Sequence, residues 1–259
     1  MSGKSSGKSL KKSSSLWPYP RLIAHRGGGR FAPENTIAAM RCGLDYGFDM
    51  VEFDAKLSQD NHVILLHDDD VKRTSNGQGL AAKMTYVQLL ALDMGQWHSA
   101  YFAGESIPTL ASVARFTNEN QIICNIEIKP CPGREEETGR LVAQAAAELF
   151  KDAAIAPLLS SFSEVSLEAA FKAAPQLPRA FLCEEYDKSA EKVLKRLDCV
   201  AVNLKQSILS EKLIAKIHQD GYRVSAWTVN DYRRAKELLA WGCDALFTDE
   251  LERIPASLA

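Results

Sequence analysis

Short apolar runs of strand length alternate with amphipathic segments of helix length from Arg21 to the C-terminus of this 259-residue chain. The runs that predict strands are 21–25, 50–55, 122–128, 155–161, 179–183, 199–204, 222–227 and 245–248. The segments that predict helices are about 34–46, 109–118, 135–150, 163–173, 188–197, 210–219 and 231–241. Parallel strands need a crossover between them, and these helices supply it. Eight such units in about 240 residues predict an α/β fold, the (β/α)₈ TIM barrel.

An open, doubly wound sheet is the alternative arrangement for the same alternation. That class commonly carries a GxGxxG fingerprint after its first strand, whereas this chain has His25-Arg26 followed by three glycines. No shift in composition divides the repeating units, so we expect residues 17–259 to form a single barrel domain. Residues 1–16 are rich in Ser, Gly and Lys, and we expect them to be a disordered tail or an expression leader.

One interval breaks the regular spacing. Between the predicted strand 50–55 and the predicted helix 109–118, the chain is far longer than an ordinary βα loop. It contains a further strand-like run, 62–68, and the turn dipeptide Asn76-Gly77. We therefore predict a small insertion after strand two, about residues 68–108, over the C-terminal mouth where barrel active sites lie.

Charge and cysteine content restrict the partners and the compartment. A formal net charge of -2 gives no electrostatic reason for binding nucleic acid or an anionic membrane, and no apolar run reaches bilayer length. The six cysteines are scattered without a CxxC pair, which in a chain of this size indicates reduced thiols and a cytoplasmic protein. The sequence leaves the oligomeric state open.

Two predicted strands carry carboxylates at alternate positions. Glu52 and Asp54 lie on one side of strand 50–55, and Glu127 and Lys129 lie on one side of strand 122–128. Solvated carboxylates at strand ends are the plain interpretation. Neighbouring barrel strands end at a common mouth, however, and three converging carboxylates would repel one another strongly unless a cation joined them. Oxygen ligands favour Mg²⁺ or Ca²⁺, with Mn²⁺ also suitable.

Histidines end two of the strand-like runs. His25 ends the first predicted strand and precedes Arg26 and three glycines, which suit a sharp turn and the close approach of a ligand. His67 ends the extra run. A pair of histidines beside a metal-bound anion suits general acid–base catalysis, and Arg26 and Lys129 would offset charge on a phosphoryl group.

Two later residues have more than one interpretation. Trp227 ends a predicted strand and forms either an apolar wall for a small polyol or part of the core. Asp249 follows the last strand and either caps a terminal helix or orients a residue at the mouth.

Taken together, these motifs resemble the glycerophosphodiester phosphodiesterase family, in particular its short soluble bacterial type. The motifs occur in the family's order and approximate spacing, over about residues 20–254: His25-Arg26-Gly27, Pro33-Glu34-Asn35-Thr36, Glu52-Phe53-Asp54, His67-Asp68, Glu127-Ile128-Lys129 and Trp227.

The resemblance implies a barrel enzyme that hydrolyses glycerophosphodiesters, the deacylated phospholipids, to sn-glycerol 3-phosphate and an alcohol. Carried onto this sequence, it assigns metal binding to Glu52, Asp54 and Glu127, and acid–base catalysis to His25 and His67. It further implies phosphate binding by Arg26 and Lys129 and packing of the glycerol carbons on Trp227. The preferred alcohol, the order of the two histidines, and attack by water or by the glycerol 2-hydroxyl stay open.

Two other functions fit parts of the same pattern. A phospholipase acting on intact lipid would need an exposed apolar rim, for which Trp97, Tyr101 and Phe102 in the insertion are candidates. A non-catalytic barrel that binds phosphodiesters would be expected to have lost a carboxylate or a histidine, and none is lost here. A Schiff-base aldolase using Lys129 gives no reason for two histidines and three carboxylates.

Overall fold

The computed structural model describes residues 17–259. Its nine strands are β1 (Leu22–Ala24), β2 (Met50–Leu57), β3 (Val63–Leu65), β4 (Ile123–Ile128), β5 (Leu158–Ser161), β6 (Arg179–Cys183), β7 (Ala201–Lys205), β8 (Arg223–Trp227) and β9 (Ala245–Thr248). Its eight α-helices, within the same residues, are α1 (Ile37–Asp45), α2 (Tyr86–Leu90), α3 (Leu110–Glu119), α4 (Glu135–Leu149), α5 (Glu164–Ala173), α6 (Lys188–Arg196), α7 (Glu211–Gln219) and α8 (Tyr232–Ala240). The prediction for residues 1–16 lies outside the described residues.

Eight of the strands close into a parallel barrel, as predicted. In space, their order is β1, β9, β8, β7, β6, β5, β4 and β2. Ala24 of β1 pairs with Thr248 of β9 on one side and with Val51 of β2 on the other, which closes the ring. The ninth strand, β3, runs antiparallel to the end of β2, where Ala55 faces Leu65. The extra strand-like run therefore forms a strand that extends the sheet beside the barrel and is not one of the eight barrel strands.

Alternation along β2 separates the core from the site. Val51, Phe53 and Ala55 belong to the large apolar layer between strands and helices. Glu52 and Asp54, on the opposite side of the strand, point into the barrel. The base of the barrel interior is filled by a second apolar cluster, contributed by six strands and the segment before β1: Tyr19, Ile23, Met50, Leu158, Ala180, Ala201, Ala245 and Phe247.

The segment between β3 and α3 has a small core of its own. Ile64, Val71, Leu89, Met94 and Ile107 are buried together there. Its short helix α2 begins with a capping box, in which the Thr85 side chain accepts from the backbone N–H of Gln88 and the Gln88 side chain accepts from that of Thr85. This insertion is thus an ordered layer that packs beside β2 and reaches the mouth of the barrel.

The first helix starts later than its sequence pattern predicts. Helix α1 begins at Ile37 rather than at 34, and the Thr36 side chain caps it by accepting from the backbone N–H of Ala39. The preceding Asn35 has a φ of 60°, which a helix cannot contain. Residues 33–35 are therefore a loop that faces the barrel mouth.

Among residues 17–259, none of the helices combines the length and the apolar character needed to cross a bilayer.

Candidate active site

The predicted site residues come together in one cavity at the C-terminal mouth of the barrel, with a volume of about 270 Å³. All eight of them line it: His25, Arg26, Glu52, Asp54, His67, Glu127, Lys129 and Trp227. They arrive from the ends of four barrel strands and from the residue that follows β3 by two positions. Convergence of separate strand ends explains why residues distant in sequence share one site.

The three carboxylates form a compact cluster. Each of Glu52, Asp54 and Glu127 offers an oxygen within 4.8 Å of the others'. Burial, together with the charge of Asp54, raises the pKa of Glu52 to about 8 and that of Glu127 to about 7. Burial also disfavours the Asp54 carboxylate, but the charges of Lys129 and Arg26 outweigh it and hold the pKa of Asp54 below its usual range.

This cluster has the chemistry of a site for a hard divalent cation. Its ligands are all oxygens, and Glu52 Oε1 is a buried acceptor with no hydrogen-bond partner within residues 17–259. An unpartnered carboxylate oxygen beside two more carboxylates is costly unless a cation joins them. The residues present therefore fit such an ion.

Backbone and amide groups hold the cluster in place. Asn35 donates from Nδ2 to Asp54 Oδ2 at 2.8 Å and accepts at Oδ1 from the Asp54 backbone N–H at 2.9 Å. The backbone N–H of Arg26 donates to Glu52 Oε2 at 2.9 Å. Asn35 was quoted in the sequence motif but given no role, because nothing in the sequence indicates which residue its side chain faces.

His25 is oriented by Asp249. The Nδ1 of His25 lies 2.7 Å from Asp249 Oδ1, and Asn230 donates to the other oxygen of Asp249 at 2.8 Å. Because a carboxylate only accepts, His25 Nδ1 carries a proton and Nε2 faces the carboxylate cluster, 3.8 Å from Glu52 Oε2. Burial opposes a charged ring, but the hydrogen bond to Asp249 and the charge of Glu52 outweigh it and raise the pKa of His25. Of the two roles considered for Asp249, the structure shows orientation of a mouth residue.

His67 is held from both sides of its ring. Its Nδ1 lies 2.7 Å from Asp68 Oδ1, and its Nε2 lies 2.8 Å from Lys129 Nζ. Asp68 only accepts and the Lys129 ammonium only donates, so Nδ1 carries the proton and Nε2 presents a lone pair. Burial, with the nearby charge of Arg26, lowers the pKa of His67 in spite of Asp54 and Asp68. His67 is therefore a neutral imidazole at neutral pH.

The two cations of the cavity lie against the carboxylates. Lys129 Nζ is 3.0 Å from Glu127 Oε1 and 3.7 Å from Asp54 Oδ1. Arg26 Nη1 donates to Glu34 Oε1 at 2.8 Å, and its Nε is 3.6 Å from Asp54 Oδ2. An anion at the cluster would meet positive charge from β4 and from the turn after β1.

The opposite wall of the cavity is aromatic. The rings of Trp227 and Phe162 meet edge to face, with centroids 5.4 Å apart, and Leu182 and Phe247 lie beside them. Trp227 Nε1 donates to the backbone oxygen of Asn203 at 3.1 Å, which fixes the indole plane. Such a wall suits the carbon skeleton of a small polyol.

Below the aromatic wall, the floor is polar. Asn203 is fully buried, yet neither its Nδ2 nor its Oδ1 has a partner in the part of the chain that the structure describes. Asn125 lines the same floor and uses its Nδ2 to donate to Ser160 Oγ at 2.8 Å, while its Oδ1 likewise has no hydrogen-bond partner among residues 17–259. Sequence reasoning missed this floor, although Asn125 lies two residues before Glu127 and so shares its side of β4.

The three glycines approach protein segments rather than the cavity. A Cβ on Gly29, which has a φ of 55°, would lie 2.3 Å from the backbone oxygen of Asp249, and one on Gly27 would lie 2.9 Å from Ala39 in α1. We expected these glycines to make room for a ligand. They instead allow the turn to pack closely against α1 and the segment after β9.

Comparison with known proteins gives consistent matches over most of the chain. Residues 25–253 match the model of the glycerophosphoryl diester phosphodiesterase family. YhdW of Bacillus subtilis, which carries the name of a glycerophosphodiester phosphodiesterase, is 35% identical over 88% of this chain and 93% of its own length. A glycerophosphodiester phosphodiesterase of Caldanaerobacter subterraneus is 31% identical, over 90% of this chain and 95% of its own.

A solved structure supports the same relationship. A phosphodiesterase of Oleispira antarctica, in complex with the product sn-glycerol-3-phosphate, superposes with a TM-score of 0.85 at 34% identity. The match covers 91% of this chain and 95% of that one.

Proposed function

The chain belongs to the glycerophosphoryl diester phosphodiesterase family, and from that premise we propose that it hydrolyses glycerophosphodiesters to sn-glycerol 3-phosphate and an alcohol. The family resemblance seen in the sequence is thereby confirmed. The observation that carries the proposed reaction is the convergence in one cavity of two histidines, three carboxylates and two cations. The related Oleispira enzyme holding sn-glycerol-3-phosphate supports the same product.

Glu52, Asp54 and Glu127 would hold one divalent cation, Mg²⁺ or Ca²⁺, with Mn²⁺ as a further candidate. When bound, such an ion polarises the phosphoryl oxygen and offsets the charge that develops on it. Support comes from the all-oxygen cluster and from the unpartnered Oε1 of Glu52.

The two histidines divide the proton transfers. The unprotonated Nε2 of His67 is suited to take the proton of the attacking hydroxyl, whether of water or of glycerol C2. His25, with a raised pKa, is suited to give a proton from Nε2 to the oxygen of the leaving alcohol. Under this assignment His67 is the base and His25 the acid in the first transfer.

Arg26 and Lys129 would bind the phosphate, and Trp227 would pack against the glycerol carbons. The amide of Asn203 has a donor and an acceptor without partners in the described part of the chain, and it matches a hydroxyl group that can both accept and donate. The aromatic wall suits the carbon skeleton of a polyol, and the polar floor suits its hydroxyl groups.

The remaining sequence predictions are kept as part of this proposal. Residues 17–259 would act as one catalytic domain on a small, water-soluble substrate, without nucleic acid or stable membrane association, in agreement with a net charge of -2. The cytoplasm remains the compartment predicted from the scattered cysteines, and such an enzyme would serve glycerol and lipid metabolism.

The test uses purified protein with millimolar Mg²⁺ or Ca²⁺. Glycerophosphocholine and glycerophosphoethanolamine should each release glycerol 3-phosphate, detected by an enzyme-coupled assay, and EDTA should abolish the release. His25→Ala and His67→Ala should each lower turnover by roughly 10² or more. The absence of glycerol 3-phosphate from every glycerophosphodiester offered would disprove the function.

Exposed apolar side chains favour a second candidate, attack on intact lipid. Five large hydrophobic residues in the insertion are exposed: Leu80, Val87, Leu90, Trp97 and Tyr101. Co-sedimentation with phosphatidylcholine liposomes, and release of a headgroup from them, would support this candidate. Activity confined to the soluble, deacylated diesters would reject it.

A further inference from the structure

Arg73, in the insertion, makes a two-sided ion pair at the edge of the cavity. Its Nε donates to Asp68 Oδ2 at 2.6 Å and its Nη2 donates to Asp68 Oδ1 at 3.1 Å. On the other side, Nη1 donates to Glu34 Oε2 at 2.6 Å and Nη2 to Glu34 Oε1 at 2.8 Å. A single guanidinium therefore grips two carboxylates, each through both oxygens.

Each of these carboxylates also holds a residue of the site. Asp68 Oδ1 lies 2.7 Å from Nδ1 of His67, and Glu34 Oε1 accepts from Nη1 of Arg26 at 2.8 Å. The contacts form an unbroken line, His67–Asp68–Arg73–Glu34–Arg26. It joins the end of the β3 segment to the loop between β1 and α1.

We propose that Arg73 is a positioning residue, which fixes the proton-accepting imidazole of His67 and the phosphate-binding guanidinium of Arg26 relative to each other. This inference rests on the roles of His67 and Arg26 in the proposed function. Arg73 itself does not line the cavity, so it acts through Asp68 and Glu34.

The geometry distinguishes this pair from an ordinary surface ion pair, which contributes little. Glu34 is mostly buried, with 12% of its side chain exposed against 44% for Arg73. Both carboxylates are held in fork geometry. A planar guanidinium presents enough fixed donors for two such forks, whereas a lysine ammonium has three donors and can bridge the two carboxylates without forming both forks. Without Arg73, Glu34 would keep Arg26 as a cationic partner, but Asp68 would keep only its hydrogen bond to His67 among the contacts described above, and no cation would lie between the two carboxylates.

The chain offers a matched control in the adjacent exposed residue, Lys72. Arg73→Gln and Lys72→Gln each remove one positive charge from the insertion, so both change the long-range attraction for a phosphodiester equally. Of these two residues, it is Arg73 whose side chain contacts Asp68 and Glu34. We expect Arg73→Gln to lower kcat by roughly 10- to 100-fold, as loss of a residue that orients a catalytic group does. Lys72→Gln should stay within about twofold of the wild type, and Arg73→Lys should recover part of the loss.

A second readout follows the imidazole directly and does not require turnover. The charged groups around His67 are Asp54, Asp68, Arg26 and Lys129. Loss of Arg73 leaves the charge of Asp68 fully directed at Nδ1, so NMR titration in the presence of Mg²⁺ should show a higher pKa of His67 in Arg73→Gln. The acidic limb of kcat/KM should move to higher pH with it, because the base must be deprotonated.

These outcomes separate the inference from the proposed function. If the wild type releases no glycerol 3-phosphate, the function fails, and the NMR titration still decides the role of Arg73. The inference is overturned if Arg73→Gln matches Lys72→Gln in both kcat and the pKa of His67. It is also overturned if Arg73→Gln lowers only thermal stability. In a double-mutant cycle with Asp68→Asn, the two losses should be clearly less than additive.

Discussion

Each histidine of the cavity has a carboxylate at Nδ1, yet the two pKa values shift in opposite directions. Burial lowers the pKa of both rings, so the difference comes from the groups around them. At His25 the hydrogen bond to Asp249 and the Glu52 carboxylate outweigh burial, whereas at His67 the positive charges of Arg26 and Lys129 add to it. Two identical side chains thereby acquire complementary states, one ready to give a proton and one ready to take it.

Replacing Asp249 with Asn should test the proton-donor role of His25. The change removes a charged acceptor 2.7 Å from Nδ1 and so lowers the raised pKa of His25. Since an acid works only while protonated, the alkaline limb of kcat should move to lower pH, and kcat at neutral pH should fall about tenfold or more. The measurement is a pH–rate profile of both proteins.

Asp244→Asn is the matched control. Asp244 makes a similar pair with His218, at 2.8 Å, but before β9 at the other end of the barrel. The Asp244→Asn substitution should lower the free energy of unfolding and leave the pH–rate profile unchanged. An unchanged profile in Asp249→Asn as well would remove His25 from the donor role.

Asn203→Leu should separate stability from recognition. The buried amide has no partner within the described residues, and its replacement by an apolar group of similar shape should stabilise the metal-free protein by about 1 kcal/mol. Loss of a hydroxyl-binding amide should raise KM for glycerophosphocholine and reduce discrimination against an analogue lacking one hydroxyl. Thermal denaturation and paired kinetics check this, and a destabilised variant with unchanged KM would contradict it.

Some residues of the site could be identified from the sequence, and others could not. Among residue types with intrinsic chemistry, Glu52 could be picked out because strand periodicity indicated the direction of its side chain, and His67 because it ends a strand-like run. Asn35, Arg73 and Asn203 could not, because their contacts depend on which loop or strand lies opposite. A tertiary partner is not encoded in local spacing.

At the level of elements, the loop between β1 and α1 supports the carboxylate cluster. The left-handed backbone of Asn35 turns its amide onto Asp54 of β2 and delays the start of α1. The helical periodicity of 34–46 predicted the helix correctly from Ile37 onward. Its first residues were misassigned because Glu34 and Asn35 are as compatible with a helix pattern as with a loop.

Asn35→Ala should weaken metal binding by roughly 10- to 100-fold, because Asp54 loses two hydrogen bonds that orient it. It should also destabilise the fold by about 1 kcal/mol, since alanine disfavours a φ of 60°. Calorimetric titration with Mg²⁺ and urea denaturation measure the two effects.

Asn61→Ala serves as the control for backbone strain. Asn61 has a φ of 64°, is exposed, and lies outside the cavity. It should show a comparable loss of stability without any loss of metal affinity. Equal metal affinities for the two variants would refute the supporting role of Asn35.

For the whole molecule, the barrel was predictable because its evidence is repeated along the chain. Eight strand-like runs alternate with seven helical segments, so errors of a few residues at a boundary did not alter the topology. The position of β3 was harder to predict from the sequence. A three-residue strand pairing back on β2 depends on how far β2 extends beyond the barrel.

Metal and pH should act together on global stability. Without a cation, burial holds the pKa of Glu52 at about 8 and that of Glu127 at about 7, against an ordinary 4.5. The folded state then binds more protons than the unfolded state, so stability contributed by these groups falls as pH rises from 4.5 to 8. A bound cation keeps both groups ionised and should remove that loss.

We therefore expect the difference in Tm between Mg²⁺-loaded and EDTA-treated protein to grow with pH across this interval. Metal affinity should rise roughly tenfold per pH unit for each proton displaced, and binding should release protons. Titration calorimetry in two buffers of different ionisation enthalpy counts them. A Tm difference independent of pH would contradict raised carboxyl pKa values in the metal-free protein.

An apolar cluster that includes Tyr19, Ile23 and Met50 fills the base of the barrel. Within the described residues, the cavity is therefore closed at its base and open at its mouth. Whatever enters by the mouth must leave by it. In the proposed reaction, substrate and glycerol 3-phosphate would therefore share one opening and the same two cations, Arg26 and Lys129, so accumulated product would compete directly with fresh substrate. Turnover would then depend on how quickly the product is removed from solution as well as on the rate of the chemical step.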